Sequence, residues 1–361
     1  DGWSMGVFVK EFSKLYNGEK LEPLPIQYKD FTYWQNEVIH SSSMNSQRDF
    51  WAKQLEGELP ALDLPVDFTR PEKRNDEGGS FHFQISQQIT REFKAYLESN
   101  QFSLFLGLFS FYNIILHKYA NQNDLIVGFP VSGRYHDDLN AQVGYYLNTL
   151  PLRSQIDPLH SVEAFLKQMD ENIKNAFDNQ VYPFDLLLET HNKGRGTDRV
   201  GLYDVMFTLQ NFDEGQFSLG AVTAKPLVVD LPKSKFEMTM ICKEANGTIE
   251  ISIEYSTQLF SQKRIQNFTQ HFMHLISDFL QSKKKSIAEL SLLNGDGIHQ
   301  VTQEFNPQYY KANTTNNTFV NESVIDIFCQ IVDKNPNAIA LSNSNEVLTY
   351  QDLDTMSNQI A

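Results

Sequence analysis

The segment DLIVGFPVSGR occupies residues 124–134, and GYYLNTLPLRSQI follows at 144–156. Each contains a short apolar run bounded by turn-forming residues, a pattern that predicts a buried β-strand. The first strand is expected to end in a glycine-bearing turn. FHFQIS at 81–86 alternates apolar and polar residues, and DVMFTL at 204–209 is a further apolar run, so both segments predict additional strands.

The segment at 236–256 predicts a hairpin that turns at Asn246-Gly247. Apolar residues at helical spacing predict amphipathic helices between the strands, and Ser103 is a suitable N-cap for one of them. The helices are predicted at 4–16, 28 to about 54, 89–100, 103–119, 162–179 and 264–281. Because helices and strands do not alternate regularly, the predicted fold class is α/β, of the α+β type with a mixed sheet.

The composition excludes several classes of function. Of 361 residues, 41% are hydrophobic and 27 are Phe, enough material for packed cores. The formal net charge of −15 argues against nucleic acid and against an anionic membrane surface as partners. Cys242 and Cys329 lie far apart and match no metal-ligand spacing, so we expect free thiols and a cytoplasmic location.

Known catalytic motifs are incomplete in this sequence. KGRGTD at 193–198 lacks the Lys-Ser/Thr end of a phosphate-binding loop. His271 and His274 have a spacing that could bind a metal ion, but no third ligand is evident, and two solvated histidines are the favoured interpretation. HDD at 136–138 is interpreted as a solvated turn. No metal site is therefore predicted.

The character of the chain changes near Tyr310. KANTTNNT at 311–318 is polar and predicts a linker. An amphipathic helix is predicted around 324–332, followed by IALSN at 339–343 and by a helical segment within 347–361.

DGWS occupies residues 1–4, and YKDFTYWQ occupies residues 28–35. DGWS resembles the second half of HHxxxDG and YKDFTYWQ resembles YxDFAxWQ, two motifs of the condensation domains of nonribosomal peptide synthetases. Other segments are similar to further family motifs in the same order. These are WAKQLEGELPALDLPVDFTRP (51–71), VGFPVSGR (127–134), VGYYLNTLPLR (143–153), NQVYPFDLLLE (179–189, with Asn179 in place of the usual His), LYDVMFTLQN (202–211) and IAELSLL (287–293).

The end of the chain resembles a different domain. IALSNSNEVLTYQDLDTMSNQIA at 339–361 is similar to the first motif region of an adenylation domain, with Asp352 in place of the usual Glu. The resemblance implies a remnant of the condensation N-terminal lobe at 1–40, the C-terminal lobe at 41–305, a linker at 306–318 and the start of an adenylation domain at 319–361. The implied fold is that of chloramphenicol acetyltransferase.

The resemblance also implies an activity. The family joins two substrates held as phosphopantetheinyl thioesters on carrier domains, where an acceptor amine attacks a donor thioester. The implied partners are upstream donor and downstream acceptor carrier domains and the rest of the synthetase, and no cofactor is expected to bind this chain directly. The catalytic histidine of HHxxxDG would lie before Asp1, so the chain is expected to be inactive by itself.

Candidate site residues follow from these motifs. Asp1 and Gly2 are the remnant of HHxxxDG, and Trp3 follows them. We expect the Asp1 carboxylate to pair with Arg134, with Arg153 as the second candidate; a simple helix N-cap is the alternative. Gly2 would let the backbone approach the reacting thioester.

Other candidates have two open interpretations. Asn148 and Thr149 form either a polar pair in a channel wall or an ordinary position at a sheet edge. Tyr182, Pro183 and Phe184 are either a structural brace, which we favour, or a substrate contact. Asp204, Gln210 and Asn211 flank a strand, and Asn211 would either orient substrate or bridge the lobes.

Three classes of function remain open. The first is part of an amide-forming condensation domain. The second is an epimerisation or cyclisation relative, which the following adenylation segment disfavours. The third is a non-catalytic or degenerate domain that docks carrier proteins.

Overall fold

The structure is a computed structural model that describes residues 1–191, 201–211, 217–220, 222–223, 232–305, 323–343 and 347–360. The segment at 193–198, which was rejected as a phosphate-binding loop, and the linker predicted at 306–318 lie outside the described residues. The chain forms two compact units, Asp1–Leu292 and Leu293–Ala361.

The first unit contains eight described helices and eight described strands. The helices are α1 (Gly2–Tyr16), α2 (Tyr28–Ile39), α3 (Asn45–Gln54), α4 (Gln87–Ser99), α5 (Leu104–Ala120), α6 (Val162–Asp178), α7 (Phe184–His191) and α8 (Gln262–Gln281). The strands are β1 (Gly78–Ile85), β2 (Asp124–Val131), β3 (Asn148–Gln155), β4 (Val205–Gln210), β5 (Ser218–Leu219), β6 (Val222–Thr223), β7 (Met238–Ala245) and β8 (Thr248–Ser256).

Six of these strands form one sheet in the order β1-β8-β7-β4-β2-β3. Strand β4 runs parallel to β2 and to β7, while the other neighbours are antiparallel. The predicted mixed sheet is therefore confirmed. The predicted hairpin is also present, with Asn246 and Gly247 both at positive φ in the turn between β7 and β8.

One face of the sheet is apolar and carries the helices. Along β8, Ile249, Ile251 and Ile253 are buried, whereas the residues between them are polar and more exposed. Helices α4, α5, α6 and α8 pack on the strands of this sheet. The ring centroids of Phe109 in α5 and Phe129 in β2 lie 5.4 Å apart, within the core. Alternation with period 2 thus separates the face that packs against these four helices from the opposite face, which we call the open face.

The helix predicted over 28–54 is interrupted. Its single run is replaced by α2, a 3-10 turn at Ser42–Met44 and α3. Ser41 has extended backbone angles, and its hydroxyl donates to the carbonyl of Val38 at 2.7 Å. Serine side chains that bond nearby backbone groups compete with helical hydrogen bonds, so the run of three serines ends α2.

Two other boundaries differ from the prediction. The strand predicted from residue 144 begins only at Asn148, because the backbone of Gly144 bonds the Ser4 hydroxyl through both its N–H and its carbonyl group. Helix α7 was not predicted. It begins directly after Pro183, a residue that is favoured at helix starts because it lacks an N–H group.

The irregular crossing at 57–79 is attached to the sheet by buried polar groups. Asp204 accepts a hydrogen bond from the Leu62 N–H at 3.1 Å, and both residues are buried. Arg70 forms a bidentate salt bridge with the buried Glu237 carboxylate, in which Arg70 Nη2 and Glu237 Oε2 are 3.0 Å apart. These bonds replace the regular pairing that the proline-rich crossing cannot make.

The second unit contains α9 (Gly295–His299), a π-helical turn at Gln300–Glu304, α10 (Val324–Lys334), a β9 (Ile339–Ser342) and β10 (Val347–Thr349) hairpin, and α11 (Tyr350–Ile360). The helix expected around 324–332 is α10, and the short turn at 295–304 was not predicted. In the described part of the chain, no helix has the length and apolar character needed to cross a bilayer.

Asp67 joins the crossing to the start of α8 and makes stability depend on pH. The side-chain hydrogen bond from Arg264, with help from Ser261, lowers the pKa of Asp67 from its ordinary value of 3.8 to about 2. A carboxyl group whose pKa is lower in the folded state than in the unfolded state stabilises the fold at pH values above its unfolded pKa. This stabilisation is lost as the pH falls from about 4 towards about 2.

We therefore predict that Asp67→Asn lowers the urea midpoint at about pH 6, and that its difference from the wild type shrinks by about pH 3. Asp170→Asn is the matched control, because it removes a carboxylate from an exposed helix pair with Lys174. A difference for Asp67→Asn that stayed constant over this pH range would contradict the assigned ion pair.

Candidate functional site

The candidate site is built around the buried guanidinium of Arg134, which follows β2. Its Nη2 lies 3.6 Å from Asp1 Oδ1 and 3.0 Å from the Ser4 hydroxyl oxygen. Its Nη1 donates to the carbonyl oxygens of Leu139 and Gln142, the latter at 3.0 Å. One side chain thus connects the start of α1 to the loop at 132–147.

Aromatic rings complete this cluster. The Arg134 guanidinium lies 4.2 Å from the centroid of the Tyr146 ring and 5.9 Å from that of Trp3. Burial lowers the pKa of Arg134 and raises the pKa of Tyr146, because both charged forms lose hydration. The arginine keeps its charge, since its ordinary pKa is far above neutral pH.

Asp1 both caps α1 and faces Arg134. Its Oδ1 accepts from the Ser4 N–H at 2.7 Å, and its Oδ2 accepts from the Tyr146 N–H at 3.4 Å. Asp1 is therefore both the N-cap of α1 and the ion-pair partner of Arg134. Gly2 is the first helical residue, and the Trp3 indole N–H donates to the Asn140 carbonyl at 2.8 Å.

Arg153 does not contact Asp1, and this second candidate pairing is wrong. Its guanidinium pairs with Asp124 on the neighbouring strand, with Nη2 and Oδ2 2.6 Å apart, and donates to the carbonyls of Glu56 and Glu58. Arg153 lies five residues beyond Asn148 along β3, about 17 Å at 3.3 Å per residue. The register therefore places Arg153 at the opposite end of β3 from Asn148.

Asn148 fastens the segment that precedes α7. Its amide nitrogen donates to the carbonyls of Gln180 and Tyr182, each at 2.8 Å, and its oxygen accepts from the Phe184 N–H at 3.0 Å. Tyr182 is buried, and its N–H donates to the Gln47 side chain. Tyr182 and Phe184 are thus held by their backbones.

A cleft of about 310 Å³ lies between this segment and the Arg134 loop. Gly133, Tyr146, Asn148, Pro183 and Phe184 all line it, together with side chains of α2. Gly133 has φ +64°, and an added Cβ would lie only 1.9 Å from the Tyr146 carbonyl oxygen. The turn that closes the cleft therefore requires glycine.

The remaining candidates lie elsewhere. Burial raises the pKa of Tyr203, and the nearby Thr149 side chain opposes this shift. Asp204 precedes β4 and anchors the crossing, at the opposite end of the strand from Gln210 and Asn211. Its position favours a structural role for Asp204.

The sequence analysis did not identify Ser4, Gln142 and Tyr146 as site residues. The Tyr146 hydroxyl donates to Gln142 Oε1, and Gln142 Nε2 donates to the Asp138 carbonyl at 3.0 Å. Ser4 is part of the motif DGWS and Tyr146 is part of GYYLNT. Their closeness in sequence to the candidates Asp1 and Asn148 could have indicated that they belong to the site.

His271 and His274, the two histidines with a spacing that could bind a metal ion, both lie on α8. His271 Nδ1 lies 2.6 Å from the Tyr119 hydroxyl, which gives this histidine a local partner. Within the described ranges, no group of three or more His, Cys, Asp or Glu side chains is arranged to hold a metal ion. Cys242 is buried and Cys329 exposed, and both are free, as expected.

The sheet, the helices on one face and the Arg134 loop define an α/β domain of the chloramphenicol-acetyltransferase-like fold. Residues 1–300 match the family model described as "Condensation domain". The chain therefore belongs to the condensation-domain family.

Curated relatives agree with this membership. The chain is 32% identical over 366 residues to gramicidin S synthase 2 of Brevibacillus brevis, and 32% identical over 363 residues to tyrocidine synthase 3 of Brevibacillus parabrevis. All of the chain is covered in both cases, but it spans only 8% and 6% of these relatives.

Solved structures show the same fold. A holo four-domain nonribosomal peptide synthetase bound to AMP and glycine matches with a TM-score of 0.76 and 19% identity, over 98% of this chain and 27% of that one. The condensation domain of the monacolin K polyketide synthase MokA matches with a TM-score of 0.70 and 16% identity, over 80% of this chain and 68% of that one.

We predict that Arg134→Met destabilises the first unit by on the order of 3 kcal/mol, because the Asp1 carboxylate and two carbonyls lose a buried partner. The amides of α1 should exchange with deuterium faster than in the wild type. Arg134→Lys should be intermediate, since lysine keeps the charge but not the planar fork. Arg48→Met, at an exposed helix position, is the control; unchanged protection of α1 in Arg134→Met would refute the docking role.

A second prediction concerns Asn148. Asn148→Asp keeps an acceptor for the Phe184 N–H but places a carboxylate against the Gln180 and Tyr182 carbonyls, so we expect a loss of about 2 kcal/mol or more. Thermal unfolding measures this loss. Asn175→Asp, on the exposed side of α6, is the matched control and should change stability by less than about 0.5 kcal/mol.

Proposed function

We propose that this chain is part of a nonribosomal peptide synthetase and that its condensation domain forms an amide bond between two carrier-bound substrates. The acceptor amine would attack the donor thioester carbonyl. A C–N bond forms, the C–S bond breaks, and the amine proton is transferred as the donor thiol leaves on its phosphopantetheine arm. The arms belong to the carrier domains and enter as part of the substrates.

The observation that carries the proposal is the Arg134 cluster. It holds the DGWS segment against the loop at 132–147 through Asp1, Trp3 and Ser4. In the family motif the catalytic histidine precedes this segment, so the cluster would fix the position of the histidine relative to the channel. Correct placement of reacting groups is a large part of the catalysis of a two-substrate reaction.

The residues of this chain would then have distinct roles. Arg134, with Asp1 and Ser4, would be positioning residues, because they act through α1. Gly2 at the first helical position would allow close approach of the thioester to the backbone. Thr149, on the face of the sheet opposite α4, α5, α6 and α8, would face the substrates, while Asn148 would support the cleft wall.

We further propose that residues 319–361 begin an adenylation domain. Thr349 and Asp352 bond reciprocally at the start of α11: the Thr349 hydroxyl donates to Asp352 Oδ2 at 2.6 Å, and the Asp352 N–H donates to the Thr349 hydroxyl at 3.2 Å. Aspartate can therefore replace the usual glutamate as a capping partner here. The lobe boundaries near residues 40 and 305 and the cytoplasmic location remain predictions.

The test is product formation by the intact synthetase that contains residues 1–361. Donor and acceptor carriers are loaded with aminoacyl groups, and the amide product is measured by mass spectrometry. Arg134→Met should reduce product formation by about a hundredfold, because displacement of the motif by about an ångström has a cost of that size. Arg48→Met should retain wild-type activity.

The alternatives give different results. A non-catalytic docking domain would bind loaded carriers but yield no product in the wild type. An epimerisation relative would invert the donor's α-carbon without joining it to the acceptor. The expected inactivity of residues 1–361 alone is tested by the same assay.

A further inference from the structure

The open face of the sheet carries ordered rows of polar side chains. Residues that are paired across neighbouring strands point to the same face. The register pairs Gln84 with Glu250, Glu250 with Lys243, and Lys243 with Gln210. Four polar side chains from β1, β8, β7 and β4 therefore form one row on the face opposite the helices.

This row lies in a depression of about 410 Å³. We call its polar lining the polar shelf, which comprises the side chains of His82, Gln84, Gln210, Lys243, Glu250 and Ser252. His82 is paired with Ser252 in the next row, and Ser252 with the apolar Ile241. Gln84 is oriented by its own hydrogen bond, in which Nε2 donates to Thr248 Oγ1 at 2.8 Å.

The chemistry of the row favours a neutral, amide-rich ligand. Its two ends are carboxamides, each with both a donor and an acceptor group. Its centre places an ammonium directly across from a carboxylate, so the two charges compensate each other. An extended peptide main chain offers the same alternation of N–H and C=O groups. A positively charged ligand would be repelled by Lys243, and a negatively charged ligand would be repelled by Glu250.

The polar shelf lies on the same face of the sheet as the candidate residue Thr149. The pairing of Gly128 with Met206 extends along β2 and β4 to place Pro130, and its partner Thr149, in line with the row of His82 and Ser252. A Cβ added to Gly128 would lie 2.4 Å from the Tyr203 ring, and Tyr203 lies near Thr149. The register places Gly128 and Thr149 on the same face as the polar shelf.

The separation sets a length requirement. Lys243 and Glu250 lie three and four strands from Thr149, on the order of 14–19 Å at a strand spacing of about 4.8 Å. An extended peptide rises about 3.3 Å per residue, so about five residues are needed to span this distance. A donor of one or two residues cannot reach the shelf.

We propose that the polar shelf binds the main chain of a peptidyl donor and favours donors of about five residues or more. This inference rests on the proposed amide-forming function. It adds a length-dependent subsite that does not take part in the reaction of short donors.

The experiment compares two donors on the same carrier domain of the intact synthetase: an N-acetylated single residue and an N-acetylated six-residue peptide with the same C-terminal residue. Lys243→Met combined with Gln84→Leu should lower kcat/KM for the long donor about tenfold, mainly through KM, since one or two hydrogen bonds are lost. The short donor should react within about twofold of the wild type, because it does not reach these side chains.

The matched control is Glu163→Gln combined with Lys167→Met, which removes an ammonium–carboxylate pair from the exposed face of α6. It should leave both donors unaffected. Equal losses for short and long donors in the shelf variant, or no loss for the long donor, would overturn the proposal. So would a wild type that joins the short donor and rejects the long one. Failure of the wild type with the short donor would instead refute the proposed function.

Discussion

The first unit depends on one buried charge. Arg134 is almost fully buried, and such a group is tolerated only where several acceptors surround it. It obtains them from two parts of the chain that are more than a hundred residues apart: the Asp1 carboxylate and Ser4 hydroxyl on α1, and two carbonyls of its own loop. The same requirement shapes the loop, which must curl around the guanidinium and needs glycine at 133 to do so. The position of α1 is therefore a consequence of satisfying the arginine.

The sheet supplies the second organising constraint. Its period-2 pattern gives one face to the helices and leaves the other polar, and the register then decides which polar residues are neighbours. Thr149 and the polar shelf lie on the same face because the register across the strands from β3 to β1 keeps the period-2 alternation in phase. Asp204 and Arg153 come from the same sheet but lie at the opposite end of its strands, where they attach the 57–79 crossing instead.

Local pattern explains why most elements were predictable, and its limits explain the errors. Alternation in β8 and the Asn246-Gly247 turn determine their conformations from neighbouring residues alone. Helix α2 ends because the Ser41 hydroxyl bonds the Val38 carbonyl in place of a helical N–H group. Strand β3 starts late because Gly144 bonds Ser4, which is 140 positions away in the sequence. The Asp1–Arg134 contact came from a family resemblance and not from periodicity. The Arg153 alternative failed because the two arginines look equivalent until the register of β3 is known.

The contacts between α1 and the 132–147 loop also matter for exchanging segments between condensation domains. Asp1, Trp3 and Ser4 make every one of their long-range bonds described above with residues between 134 and 146. Recombination at any point from residue 17 to residue 131 would separate these partners and join each to a counterpart from another parent. Helix α1 and the 132–147 loop should therefore be taken from the same parent sequence, although the chain between them is long. Exchange points outside these segments keep Arg134 with the Asp1 carboxylate that it contacts.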